Sequence, residues 1–192
     1  MRKKIAVIGA QGVGKTSLVK EIIRRVPDSL LVREVARECP YPIDAQADFR
    51  TEMWMLAHAI LAEKESDFSD TAKTIITDRC VLDLAVYSRL VHLANPSKIS
   101  RAELNFLLTT IKLYMEASPY DHVLLVTVSD EIWQKRDLDD GFRSLDLDWY
   151  KKLSVHFRIA TKLLRKDTTK LHVLTNDGNF ESLVEKALQI VS

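Results

Sequence analysis

Five short apolar runs divide the chain, and the segments between them repeat their apolar residues at helical spacing. Lys3–Ile8, Leu30–Val32, Thr74–Thr77, His122–Val128 and Leu171–Leu174 are predicted strands. His122–Val128, HVLLVTV, is apolar without alternation, the pattern of a strand covered on both faces of a parallel sheet. The first helix runs from Lys15 to Arg25 and is stopped by Pro27, which has no amide to donate. Phe49, Met53, Leu56, Ile60 and Phe68 predict a helix over Asp44–Phe68, with Trp54 and Met55 widening its apolar stripe. Further helices are predicted over Val81–Ala94, from a Ser100-x-x-Glu103 capping box to Ala117, over Asp148–Arg165, and over Asn179–Val191 with Asn179 as N-cap. Cys39-Pro40-Tyr41-Pro42 is a stiff non-helical connection, and residues 130–146 are polar and mixed in charge. Strands that alternate with helices throughout argue an α/β fold with a parallel sheet and right-handed crossovers.

Composition narrows the class. A chain of 192 residues is expected to form one domain over 1–192, with enough core to need no covalent staples. The 28 basic residues are balanced by 27 acidic ones, so nucleic acid is not an expected partner. Cys39 and Cys80 have no zinc-type spacing and read as two buried thiols in a reducing compartment. The basic-then-apolar start, MRKKIAVIG, is too short in its apolar part for a signal peptide, and no run is long enough to span a membrane. A cytoplasmic protein is the expectation.

The sharpest signal is Gly9-Ala10-Gln11-Gly12-Val13-Gly14-Lys15-Thr16, which fits G-x-x-x-x-G-K-[ST] between a strand and a helix. Glycines let successive amides converge on an anion, and the helix N-terminus adds its positive dipole end. Lys15 supplies a cation for the β- and γ-phosphates, and Thr16 a hydroxyl for Mg²⁺. Gly9, Ala10, Gln11, Gly12, Val13, Gly14, Lys15, Thr16 and Ser17 are therefore the nucleotide-binding candidates. In this the chain resembles P-loop NTPases. The Asn-Lys-x-Asp of GTPases is absent, and the length leaves no room for a second ATPase cassette, so a compact kinase using ATP is expected.

The remaining motifs sit after the other strands. Asp78-Arg79 closes TIIT, where Asp78 can hold Mg²⁺ and Arg79 can reach the same crevice; the plainer reading is a helix cap beside a solvated arginine. Glu34, with Arg33 and Arg37, follows the second strand, where ligands of open α/β sheets bind. A carboxylate there can take a proton from an acceptor hydroxyl, unless these three form only a surface ion pair. Asp44, Gln46 and Arg50 are further acceptor candidates. Arg136 and Arg143 flank Asp137-Leu138-Asp139-Asp140-Gly141 and are candidates for closing over a transferring phosphoryl group. The turn Asn176–Asn179 is expected near the adenine, through backbone contacts. Trp54, Trp133 and Trp149 read as packing, and the five scattered histidines show no ligand spacing.

Taken together, GAQGVGKTSL, REVARE, TDRCVLDLAVYSRL and DDGFRSLD resemble the small AAA-type kinase-like family that contains the nicotinamide riboside kinase domain of bacterial NAD salvage proteins. That resemblance implies a three-layer fold with a five-stranded parallel sheet in order 2-3-1-4-5 and a lid after strand four, at about 130–146. It also implies an ATP- and Mg²⁺-dependent phosphotransferase with a small nucleoside- or nucleotide-like acceptor. Lys15, Glu34, Asp78, Arg79, Arg143 and Arg136 would be its catalytic set. The alternative is a nucleotide switch whose output is a binding partner.

Overall fold

The structure, a computed structural model, describes residues 2–136, 147–161 and 169–191. Five strands, β1 (Lys3–Ile8), β2 (Ser29–Val32), β3 (Thr74–Asp78), β4 (His122–Thr127) and β5 (Lys170–Thr175), form one sheet in order β2-β3-β1-β4-β5. Every pairing is parallel, with Val7 opposite Asp78 on one side and Leu124 on the other. Expected and observed strand order agree. β1 is central, and Ile5 through Ile8 are fully buried because neighbours cover both its edges and helices cover both faces.

One face carries α1 (Lys15–Arg25) and α7 (Phe180–Val191), which contact each other and present Leu18, Val19 and Ile22 and Leu183, Val184 and Ala187 to the core. The other face carries α2 (Phe49–Ser66), α3 (Val81–Ala94), α4 (Arg101–Ala117) and α6 (Leu147–Ala160). Helix α3 touches the other three of that layer, which is why it is apolar nearly all round: Val81 through Ser88 are all buried. The Ser100 hydroxyl accepts from the Glu103 amide and the Glu103 carboxylate accepts from the Ser100 amide, closing the expected box at the start of α4.

Two boundaries differ from the sequence reading. The helix expected from Asp44 is instead a 3₁₀ turn, Asp44–Gln46, followed by α2 from Phe49. Asp44 takes φ 55, and Asp48 is extended at φ −129 with its Oδ1 accepting from the Thr51 amide at 3.0 Å. Asp48 is thus the N-cap, worth about 1 kcal/mol, and helix cannot propagate back through it. After β4 the polar stretch begins with a short helix, α5 (Asp130–Lys135), capped by Ser129; the rest of the expected lid, 137–146, lies outside the described residues, as does the last part of the helix expected to Arg165. Both cysteines are free, but only Cys80 is buried; Cys39 is half-buried. Among the described residues no helix is long and apolar enough to cross a membrane.

Candidate active site

The loop between β1 and α1 is shaped by what surrounds it. Gly9, at φ 141, lies so close to the Val126 carbonyl oxygen that a side chain there would collide with it. Gly14, at φ 98, would put a Cβ 2.5 Å from Asn176 Nδ2. Four successive carbonyls of the loop are each held by a side chain. Lys15 Nζ donates to Ala10 O at 2.6 Å, Trp133 Nε1 to Gln11 O at 2.9 Å, Arg136 Nη1 to Gly12 O at 2.7 Å, and Asn176 Nδ2 to Val13 O at 2.8 Å. Because the N–H and C=O of a trans peptide point opposite ways, carbonyls drawn outward leave the following amides aimed inward. The first turn of α1 adds amides that no side chain caps. The cradle fits a polyphosphate.

Lys15 is buried at 5% exposure, and burial, reinforced by the nearby Arg79 cation, lowers its pKa to about 7. Thr16 Oγ1 donates to Asp78 Oδ2 at 2.8 Å, while Asp78 Oδ1 is buried with no hydrogen-bond partner among the described residues. A hydroxyl and a carboxylate with a spare buried oxygen, beside a phosphate cradle, suit Mg²⁺, which takes few protein ligands and keeps the rest as water and phosphate oxygens. Ser17 is exposed on the first turn of α1.

Arg79 occupies the left-handed region at φ 67, and its amide donates to Val7 O at 3.0 Å, turning the chain sharply between β3 and α3. Its guanidinium is thereby thrown into the crevice. Nε lies 2.6 Å from Glu34 Oε1, a close charge contact rather than an aligned hydrogen bond. Nη1 donates to Asp83 Oδ1 and to the Tyr87 hydroxyl, each at 3.3 Å. Burial alone would lower the Arg79 pKa, but Glu34, Tyr87 and Asp83 outweigh it and hold the guanidinium above its usual value. Asp83 is itself pushed up to about 6 by burial, against the pull of Arg79 and Lys15.

These groups open into a cleft outside the C-terminal ends of β2 and β3, bordered by the start of α3 and the inner side of α2. Arg33, Glu34 and Asp44 line it, with Asp78 and Arg79 at its polar end. Arg37, Gln46 and Arg50 do not line it. All three are exposed, and Arg50 stacks over the Tyr41 ring at 4.4 Å, with Asp48 at 3.8 Å. Arg136 departs from expectation in its contacts: burial lowers its pKa, and it bridges Gly12 O and Asn176 O. That orientation braces the loop from behind. Arg143 and Asp137–Gly141 lie outside the described residues.

Sequence reasoning marks neither Asp83 nor Tyr87 as a participant, expects only backbone contacts from the Asn176 turn, and reads Trp133 as packing alone. Asp83 had a signal, standing four residues after Arg79 on one helix face and at the third position after the cap, where it also accepts from the Cys80 amide at 3.0 Å. Trp133 does pack, stacked on Tyr150 at 4.4 Å, yet its indole N–H is spent on the loop. Nothing local to Asn176 announces a side-chain contact with Val13.

A strand–glycine loop–helix cradle, a Thr–Asp pair beside it and a five-stranded parallel sheet in this order define the P-loop nucleoside and nucleotide kinase fold. The chain belongs to the AAA-domain family, whose model matches residues 4–181. Three solved structures are similar. Deoxyadenosine kinase from M. mycoides with bound dCTP superposes at TM-score 0.73 with 18% identity over 97% of each chain. A NadR protein in complex with NR gives TM-score 0.75 and 17% identity over 99% of this chain but 52% of its own, so the present chain spans about half of it. Thymidylate kinase from Candida albicans gives TM-score 0.70 and 14% identity over 99% of this chain and 91% of its own. At such identities the likeness is one of fold. No curated protein matches the chain.

Proposed function

We propose that the protein is an ATP- and Mg²⁺-dependent phosphotransferase, working in the cytoplasm as one domain on a small nucleoside- or nucleotide-like acceptor. The observation that carries this reading is the Glu34–Arg79 ion pair, 2.6 Å across, standing next to Asp78 in a cleft beside the phosphate cradle. A nucleotide switch needs a cradle and a sensing loop; it has no use for a carboxylate and a guanidinium facing a second cavity.

The loop amides from Gly9 to Thr16, with Ser17 at their edge, would hold the triphosphate, and Lys15 would leave Ala10 O to meet the β- and γ-oxygens. Thr16 and Asp78 would hold Mg²⁺, whose charge supports the oxygens of the phosphoryl group in transfer. Glu34 would accept the proton of the acceptor hydroxyl as that oxygen bonds to the γ-phosphorus and the β–γ bridging oxygen departs with ADP. Arg79, kept cationic by Glu34 and Asp83, would stand against the charge that spreads over the equatorial oxygens. Arg143 is proposed for the lid and Arg136 for its root, with Arg33 at the rim of the acceptor cleft. Arg37, Gln46 and Arg50 are left as outer contacts of a larger acceptor.

The test is ATP turnover at fixed Mg²⁺ across a panel of nicotinamide riboside, ribo- and deoxynucleosides and their monophosphates, with products identified by mass. The expected result is one phosphate gained by one class of acceptor, lost in Glu34→Gln. Slow ATP loss, equal with and without every acceptor, would overturn the kinase reading in favour of the switch.

A further inference from the structure

The cleft has two unlike ends, and together they describe the molecule that fits it. At the polar end stand two carboxylates, Glu34 and Asp83, apart from Asp78, the proposed metal ligand; Asp44 also lines the cleft. Among the described residues that line the cleft, Arg79 is the interior cation. Arg79 is 11% exposed and already engaged by Glu34 at 2.6 Å and Asp83 at 3.3 Å; Arg33 is on the exposed rim. A phosphomonoester arriving here would have to draw Arg79 away from two carboxylates and then face both of them. A hydroxyl carries no such cost, since Glu34 can receive its proton.

The far end is apolar. Val35, Ala36, Met55, Ala59 and Leu84 form its walls, and among the described residues no asparagine, glutamine, histidine or tryptophan lines the cleft. Glu63 reaches this end but is taken: Lys4 lies 2.9 Å from it, and the hydroxyls of Tyr114 and Tyr120 donate to it at 2.9 and 2.7 Å. The neutral hydroxyl left over is Thr77 Oγ1, which is buried, lines the cleft and has no hydrogen-bond partner among the described residues. A nucleobase pressed into such walls would lose the hydrogen bonds its edge makes with water and find few partners on the apolar side chains.

We infer that the acceptor is an alcohol bearing no phosphate, whose non-reacting part is an apolar or aromatic ring seated against Met55, Ala59 and Leu84 with Thr77 Oγ1 taking a single polar atom. The inference rests on the phosphotransferase reading for the fate of the hydroxyl, but the shape and polarity of the cleft stand without it.

The experiment compares three probes that share one ribose: a phenyl riboside with the ring joined to the anomeric carbon in place of the base, cytidine, and cytidine 5′-monophosphate. Binding is measured first, by calorimetry on the full chain carrying Lys15→Ala, so that no transfer is needed. The phenyl riboside is expected to bind at least tenfold more tightly than cytidine, with no heat from the monophosphate. Ala59→Phe, which fills the apolar end, is expected to weaken the phenyl riboside at least tenfold while the melting temperature and ATP affinity of an otherwise unaltered chain stay put. Tighter binding of cytidine or its monophosphate, no binding of any probe, or indifference to Ala59→Phe would overturn the inference. Transfer from ATP to the phenyl riboside is then assayed on the unaltered protein. Binding in the expected order without transfer would sink the phosphotransferase reading and leave the acceptor class standing.

Discussion

Arg79 shows how much one backbone angle can decide. A non-glycine residue at φ 67 is uncommon, and here it aims a guanidinium at Glu34, Asp83 and Tyr87 rather than at solvent. Lysine cannot span those partners with a fork, so Arg79→Lys should lower kcat by about 100-fold while ATP affinity changes by less than about threefold, read by steady-state kinetics beside calorimetry. Equal losses in both would move Arg79 from the transfer step to nucleotide binding. Glu52 illustrates a second residue set apart by burial. It is 1% exposed, accepts from Ser88 Oγ at 2.7 Å, and has its pKa raised to about 8 by desolvation, with Asp44 and Asp48 adding to the shift. The folded state therefore holds a proton that the unfolded chain releases near pH 4.5, so this contribution is complete below that pH and is lost as pH rises towards 8. Glu52→Gln keeps the acceptor and removes the ionisation. Its stability relative to wild type should climb between pH 5 and 8, by at least about 1 kcal/mol at the upper end, in urea melts at matched pH. A flat difference would mean that Glu52 is solvated in the fold.

The β1–α1 loop owes its form to elements on the far side of the sheet centre. Trp133 comes from α5, Arg136 from the residue after it, and Asn176 from the end of β5, and each grips one carbonyl of the loop. Asn176→Ala removes one grip and opens space beside Gly14. It is expected to weaken ATP binding about tenfold with a much smaller loss of melting temperature, because the loop's own amides lose their aim while the core is untouched. A large stability loss with ATP affinity unchanged would make Asn176 a packing residue only. The loop's existence was legible from its eight residues, since G-x-x-x-x-G-K-[ST] states both the glycine angles and the groups that meet phosphate. Its bracing was not, because Val13 and Asn176 meet only after β1, β4 and β5 have been laid side by side. The same limit applies elsewhere. The Ser100–Glu103 box was readable because its two bonds are local. The break at Asp48 was missed because the apolar period runs straight through it, and only the capping geometry reveals the restart. Periodicity likewise found the strands but not their order, which came from resemblance to P-loop kinases and matched β2-β3-β1-β4-β5.

Beneath the cleft a buried ionic cluster joins layers that the sheet alone would leave independent. Lys4 of β1 and Glu63 of α2 lie 2.9 Å apart with side chains 9% and 0% exposed. Tyr114 of α4 and Tyr120, just before β4, donate to the same carboxylate, and Lys4 also donates to Ser118 Oγ at 2.9 Å. Burial, then the negative charge of Glu63, pushes the Tyr114 phenol up and keeps it a donor; Tyr120 is raised chiefly by burial as well. Desolvating two charges costs about as much as their attraction returns, so the cluster need not add net stability; what it does is penalise every arrangement in which one partner is missing. Removing one charge should therefore be far worse than removing both. Glu63→Ala is expected to lose about 3–5 kcal/mol, whereas Lys4→Met with Glu63→Leu should recover most of that loss, measured by urea unfolding with the m-value checked for a single transition. A double variant as unstable as the two single losses summed would mean that Lys4 and Glu63 are uncoupled. The cleft supplies an independent reading of the same experiment. Because Glu63 forms part of its floor, a cluster that fixes the relative position of β1, α2 and α4 should also fix the distance from Ala59 to Arg79. The double variant would then fold well yet bind acceptor less tightly than wild type, separating the stability of these layers from their alignment.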